Sequence, residues 1–352
     1  MTRSLSYSAA LLEGQDICLE RYPEVLLMGL GVPDPKGIFG STLGLQEKYG
    51  AERVFDTPLS ENAMTGVALG AAITGMRPII THQRIDFALV SMEQIVNQAA
   101  KWHYMFGGAM KAPMVIRMII GRGWGQGPQH SQSLQAWFAH VPGLKVIMPT
   151  TAADAKGLLI AAVEDDNPVV CIEHRWLYGI DDDVPEGYFS KELGTARVLR
   201  EGSDVTLVAA SYMTLEALRA AAKLADHGVE AEVIDLRTIR PIDTQTILKS
   251  VAKTGRLVIA DTGHRAFGIS AEVSALVTEA AFSNLKAAPV RIGLPDFPTP
   301  TSPALAASYY PTSVDIAVAS MEVLGRRYSR DLFTDKHTAS HDQPDASFSG
   351  PF

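Results

Sequence analysis

The sequence predicts an α/β protein of two domains, and three observations carry that reading. The chain is 352 residues long, more than one ordinary domain holds and suited to two. Short β-branched runs alternate with helical periodicities along nearly all of it. Those runs are apolar throughout rather than at every second residue, the pattern of parallel strands covered by helices on both faces.

A helical pattern over 6–22 leads to a strand at Val25–Met28. Then follow a helix at 62–75, a strand at Pro78–Ile80, a helix at 90–104 and a strand at Met114–Ile120. A helix at 131–140, a strand at Leu144–Met148, a helix at 151–165 and a strand at Pro168–Ile172 complete a first domain over 1–185. The chain turns acidic and turn-rich from about Tyr178 (IDDDVPEGYF, then REGSD), so 186–204 reads as a linker. Alternation resumes with VTLVAAS, a helix at Leu215–His227, AEVIDL, a helix near 243–253, RLVIAD, a helix at Ile269–Ala281, VRIGLP and a helix near Ser313–Arg326. These make a second, smaller α/β domain over 205–328. The remaining 329–352 is a polar tail, expected to be mobile or ordered only against a partner.

Composition removes several classes of function. With 47% hydrophobic and 20% charged residues the chain is neither disordered nor fibrous. Its 31 basic and 39 acidic residues sum to −8, which leaves no positive field for a nucleic acid backbone. Two cysteines, Cys18 and Cys171, exclude a disulfide framework or a thiolate metal site. The N-terminus turns polar and acidic too soon for a secretory signal, and no apolar run approaches 18 residues, so a cytoplasmic protein without a membrane partner is expected.

The helix opened by Glu61 is built almost wholly of small residues, with Gly66 and Gly70 four apart on one face. Each interior glycine costs roughly 1 kcal/mol against alanine, so close approach of another element is expected there, from this chain or from another subunit. Walker, dinucleotide, zinc-protease and serine-hydrolase motifs are all missing. What remains is a polar cluster: Glu61 after DTPLS, HQRIDF at 82–87 and GRGWGQGPQHSQ at 121–132. A carboxylate at a helix start is favoured by roughly 0.3–1 kcal/mol through the helix dipole, which alone suffices to explain Glu61. His130 follows four glycines, which permit close approach of a ligand; a hydrogen bond at a helix terminus explains it equally well. His103 and His140 lie in helical patterns and read as structural.

Up to about residue 328 the chain resembles the β subunit of the heterotetrameric 2-oxo acid dehydrogenase E1 component, of the pyruvate and branched-chain types in the transketolase superfamily. The resemblance is carried by FGSTLGLQEKYGAERVFDTPLSE at 39–61, GVALGAAITGMRPI at 66–79, MEQIVNQAAKWHYMFGG at 92–108, PQHSQSLQAWFAHVPGLKVIMPTTAADAKGLL at 128–159 and DDNPVVCIEHRWLYG at 165–179, with VIDLRTIRPID at 233–243 in the second domain. It implies a pyrimidine-binding domain for thiamine diphosphate followed by a transketolase C-terminal-like domain. Glu61 then holds N1′ of the aminopyrimidine, so that the 4′-nitrogen can take the proton from the thiazolium C2. Phe87 packs on the pyrimidine, Gln83 joins it in binding the cofactor, and His130 moves protons beside the thiazolium and substrate. Met114, Ala162, Val163, Asp165 and Asn167 align with a potassium site.

The resemblance also places the diphosphate and its Mg²⁺ on a separate α subunit, since no GDG motif occurs here. It implies an α2β2 heterotetramer, a small 2-oxo acid substrate and a lipoyl acyltransferase partner. Three departures surround the inferred pocket. Leu30 and Gly31 stand where the family has two acids, Arg84 replaces an apolar or small polar residue, and Arg122, Trp124 and Gln126 alter the loop before His130. Arg84 or Arg122 is therefore a candidate for recognising an anionic group on the substrate. The expected activity is 2-oxo acid decarboxylation with acyl transfer to a lipoyl carrier. The alternative is a split transketolase or biosynthetic carboligase subunit, and a noncatalytic subunit is disfavoured by Glu61, Phe87 and His130 occurring together.

Overall fold

The computed structural model describes residues 2–123 and 125–334. The described chain divides into two compact units, one formed by residues up to Gly121 with Gln129–Leu193, the other by Arg122–Pro128 with residues 194–334.

In the first unit the strands are β1 (Thr2–Ser6), β2 (Val25–Gly29), β3 (Val54–Phe55), β4 (Arg77–His82), β5 (Val115–Ile120), β6 (Lys145–Ile147), β7 (Val169–His174) and β8 (Asp181–Pro185). Six of them form a parallel sheet in the order β6-β7-β5-β4-β2-β3, while β1 and β8 make a separate antiparallel pair. Helix α1 (Tyr7–Arg21) starts where the Ser6 hydroxyl accepts the Ala9 N–H at 3.2 Å. Helix α2 (Glu61–Ile73) packs beside β4, and α3 (Ala152–Glu164) lies against α1.

Every residue of β5 and β7 is buried, including Arg117 and Glu173. The two meet in a bidentate pair, Nε to Oε1 at 2.6 Å and Nη2 to Oε2 at 2.8 Å. Arg117 also donates to Gln15 Oε1 at 2.8 Å and Ser41 Oγ at 3.0 Å, and the Tyr178 hydroxyl donates to Glu173. This satisfied network joins α1, two central strands and the loop after β2.

In the second unit β9 (Arg197–Arg200), β10 (Val205–Ala209), β11 (Ala231–Asp235), β12 (Leu257–His264) and β13 (Val290–Leu294) take the order β13-β12-β10-β11-β9. All pair in parallel except β9, which runs antiparallel to β11. Helices α4 (Tyr212–Ala225), α5 (Thr244–Thr254), α6 (Ile269–Ala281) and α7 (Ser313–Val323) cover this sheet. The core includes Leu207, Ala217, Val233, Ile316 and Phe333.

Several elements differ from the sequence reading. The stretch 186–204 contains β9, too short and too polar to show as a strand from its pattern. The helix expected over 90–104 is a 3-10 turn, a π-helical stretch at Glu93–Ala99 and an α-helix at Ala100–Met105. The helix expected over 131–140 shrinks to Gln135–Ala139, because the Gln132 N–H is directed to Asp86 instead of into a helical turn. At the start of the expected tail, Phe333 is buried and its carbonyl accepts from Lys223 at 2.6 Å; residues 335–352 lie outside the described residues. Among the described residues no helix is long and apolar enough to cross a membrane. Gly66 lies under Gln94, whereas nothing sits within 4 Å of where a side chain at Gly70 would begin.

Two buried histidines close strands of the first unit. Burial lowers His82 to about 4, and burial with the neighbouring Arg175 charge lowers His174 to about 3. Both are neutral in the native state, while the unfolded chain takes up these protons below its ordinary pKa of about 6.5. Stability is thus complete above that pH and falls as pH drops toward 4, by roughly 1.4 kcal/mol per pH unit per histidine. A melting temperature that declines through this window, with a shallower decline for His174→Gln, is expected; equal slopes would contradict the assignment.

Candidate active site

The candidate cofactor and substrate residues of the first unit follow the carboxyl ends of β2, β3, β4 and β5, the edge at which open parallel sheets bind ligands. Glu61 is the first residue of α2 and is half-buried. The preceding Ser60 makes no side-chain cap, so the helix start is left to the carboxylate. Among the described residues the Glu61 carboxylate has no hydrogen-bond or ion-pair partner.

Gln83 follows β4 and donates from Nε2 to the Leu30 carbonyl at 3.0 Å. At Gly31, where the resemblance led an acid to be expected, the backbone leaves no room for a side chain. The residue has φ +75°, and a side chain there would begin 2.7 Å from the Gln83 amide nitrogen and 2.9 Å from an Asp34 carboxylate oxygen. The Gly31 N–H donates to Asp56 Oδ1 at 2.9 Å, and that oxygen also receives the Thr57 N–H at 2.8 Å. The backbone at Gly31 and the placement of Gln83 are therefore packed against each other.

Phe87 lies on a one-turn helix, Ile85–Ala88, that packs against α2. Its ring meets His130 edge to face, with centroids 5.5 Å apart and planes at 87°. His130 is exposed. Beside Phe87 in sequence is Asp86, whose Oδ1 accepts both the main-chain N–H of Gln132 at 3.3 Å and its Nε2 at 2.8 Å. Burial pushes the Asp86 carboxyl up, and the two Gln132 donors pull it back. Sequence reasoning had both segments in view but not this bond.

Arg84 is buried and donates from Nη1 to the Gly121 carbonyl at 2.8 Å. Nearby Arg175 is brought down to about 9 by burial and then by the charge of Arg84. Arg122 belongs to the second unit, where its guanidinium donates to Gln126 O at 3.1 Å, to Pro300 O at 3.2 Å and to Thr301 O. Both arginines thus hold main-chain carbonyls; Trp124 lies outside the described residues.

The inferred cation set is spread over the last turn of α3 (Ala162, Val163), the loop after it (Asp165, Asn167) and Met114 before β5. Arg77 Nη1 donates to Val163 O at 2.8 Å and Asp165 O at 3.0 Å, and the Asp165 carboxylate takes the Asn167 N–H at 2.9 Å and pairs with Lys145. Met114 O accepts the Val169 N–H at 3.0 Å. All of these are hard donors of the kind potassium takes, and two already face a guanidinium.

Comparison with known proteins agrees with this architecture. Residues 3–181 match the transketolase pyrimidine binding domain and residues 194–316 the transketolase C-terminal domain. The chain is 44% identical over 334 residues to the acetoin:2,6-dichlorophenolindophenol oxidoreductase subunit beta of Cupriavidus necator, covering 92% of this chain and 98% of that protein. It is 41% identical over 320 residues to the mitochondrial pyruvate dehydrogenase E1 component subunit beta of Bos taurus, covering 90% and 89%. A solved split gene transketolase, an inactive beta4 tetramer, superposes with a TM-score of 0.71 at 26% identity over 91% of this chain and 96% of that one. With both domain types in order and relatives of this closeness over almost the full length, the chain belongs to the family of dehydrogenase E1 beta subunits within the transketolase superfamily.

Proposed function

We propose that this chain is the β subunit of a thiamine diphosphate-dependent 2-oxo acid dehydrogenase E1 component, which decarboxylates a 2-oxo acid and passes the acyl group to a lipoyl carrier. Glu61 carries the reading: a half-buried carboxylate at a helix start with no partner of its own among the described residues suits a ligand nitrogen. When bound, the cofactor supplies the electron sink for cleavage beside the substrate carbonyl. Glu61 would hold the N1′ end and share a proton there, Phe87 would pack on the pyrimidine, and Gln83, anchored on Leu30, would join in holding the cofactor. His130 moves a proton at the substrate oxygen, a role supported by its exposure and its place against Phe87. Mg²⁺ and the diphosphate belong to an α-like partner in an α2β2 assembly, since this sequence lacks the motif that would hold them. Potassium at the turn of Ala162, Val163, Asp165 and Asn167, with Met114, completes the reading, sharing oxygens with Arg77.

The test is co-expression with an α-like chain and reduction of 2,6-dichlorophenolindophenol by pyruvate, branched 2-oxo acids and acetoin, with and without a lipoyl domain. Dye reduction with a 2-oxo acid, lipoyl acylation and a lower melting temperature when tetramethylammonium replaces K⁺ are expected. A complex inactive on every substrate would end the enzymatic reading; unchanged melting would remove potassium alone.

A further inference from the structure

We propose that Asp86 is a positioning residue for His130, acting through Gln132. The inference rests on the reading of His130 as the proton-moving group and adds what sets its place. Among the described residues the His130 imidazole makes no hydrogen bond, and its only close ring contact is the edge of Phe87 at 5.5 Å. An exposed imidazole held by one ring contact owes its location to its backbone, and that backbone follows a loop bearing four glycines. Two residues beyond His130, Gln132 is fastened twice to the same oxygen, Asp86 Oδ1, at 3.3 Å from its N–H and 2.8 Å from its side chain. Two donors of one residue on one acceptor fix orientation as well as distance.

The partner segment is equally well placed. Asp86 is adjacent to Phe87, so the clamp lies beside the ring contact it supports. Arg84, two residues earlier, closes the other end by its bond to Gly121 at 2.8 Å. Three consecutive cross-links, Arg84 to Gly121, Asp86 to Gln132 and Phe87 to His130, thus run between the chain after β4 and the chain after β5. The role of Asp86 runs through Gln132, whose two donors its bonded oxygen accepts. Its half-buried position gives the acceptor a cost that the two hydrogen bonds offset.

The experiment uses the complex with the α-like chain and a double-mutant cycle of Asp86→Ala and His130→Ala, with Asp86→Asn as the conservative variant. Asp86→Ala is expected to lower kcat roughly 10- to 100-fold, the scale of a misplacement near 1 Å, with little change in KM. Asp86→Asn keeps an acceptor oxygen for Gln132 and is expected to stay within about threefold of the parent. Adding Asp86→Ala to His130→Ala should bring no further loss, because the positioned group is gone. A loss of the same size in both backgrounds, or full activity of Asp86→Ala beside an impaired His130→Ala, overturns the clamp. Full activity of His130→Ala overturns the underlying reading instead. Should Asp86→Ala not fold, Gln132→Ala takes its place in the cycle under the same criteria.

Discussion

Glu61→Gln is expected to lower the turnover of the assembled enzyme by about 10²- to 10⁴-fold, the usual contribution of a positioned proton-transfer group. The amide matches the carboxyl in size, and the side chain has no partner to lose among the described residues, so packing is preserved. Only the helix-dipole contribution of roughly 0.3–1 kcal/mol disappears, which leaves the melting temperature nearly unchanged. The amide cannot share an acidic proton with a pyrimidine nitrogen, so the loss should appear in kcat even at saturating cofactor. Dye-reduction kinetics and a thermal melt on the same preparation check both halves. Undiminished turnover would remove the role assigned to Glu61 and, with it, the observation on which the functional proposal stands.

The second large effect concerns stability. Arg117→Met leaves Glu173 fully buried without its guanidinium, and strands the acceptors of Gln15 and Ser41. Breaking one side of such a pair costs about 3–5 kcal/mol, whereas replacing both partners with apolar residues is often neutral. For a unit of this size the single change should lower the melting temperature by roughly 10 °C. The double variant Arg117→Met/Glu173→Leu should recover most of that, the remainder reflecting the Tyr178 hydroxyl that loses its acceptor. A single variant that melts with the parent would show that the pair contributes nothing net.

The central strands were legible because they are mostly apolar: β5 is interrupted only by Arg117, and β7 is apolar up to Ile172. Elements of two to four residues, such as β3 and β9, span too few repeats of the two-residue alternation to reveal themselves. The π-helical stretch at Glu93–Ala99 keeps an apolar spacing close to that of an α-helix, so composition cannot tell the two apart. Glu61 and His130 illustrate the limit for the site. Taken as residues alone, a carboxylate at a helix start and a histidine after glycines have ordinary explanations; their pairing with a family pattern singled them out. Asp86 and Gln132 are 46 residues apart, and no periodicity links them. The same holds for Arg122, visible as a charge in a glycine-rich loop but bonded to Pro300, 178 residues away.

That last bond bears on how the gene can be rearranged. The stretch from Arg122 to Pro128 is encoded in the middle of the first domain yet packs as part of the second. A fragment ended at residue 193 would carry this loop without the carbonyls of Pro300 and Thr301 that secure it, and a fragment begun at 194 would lack a strip of its own body. The two halves are consequently not interchangeable modules: recombination between relatives at the obvious boundary separates pieces that fold together, and only exchanges that move both segments at once preserve the threading.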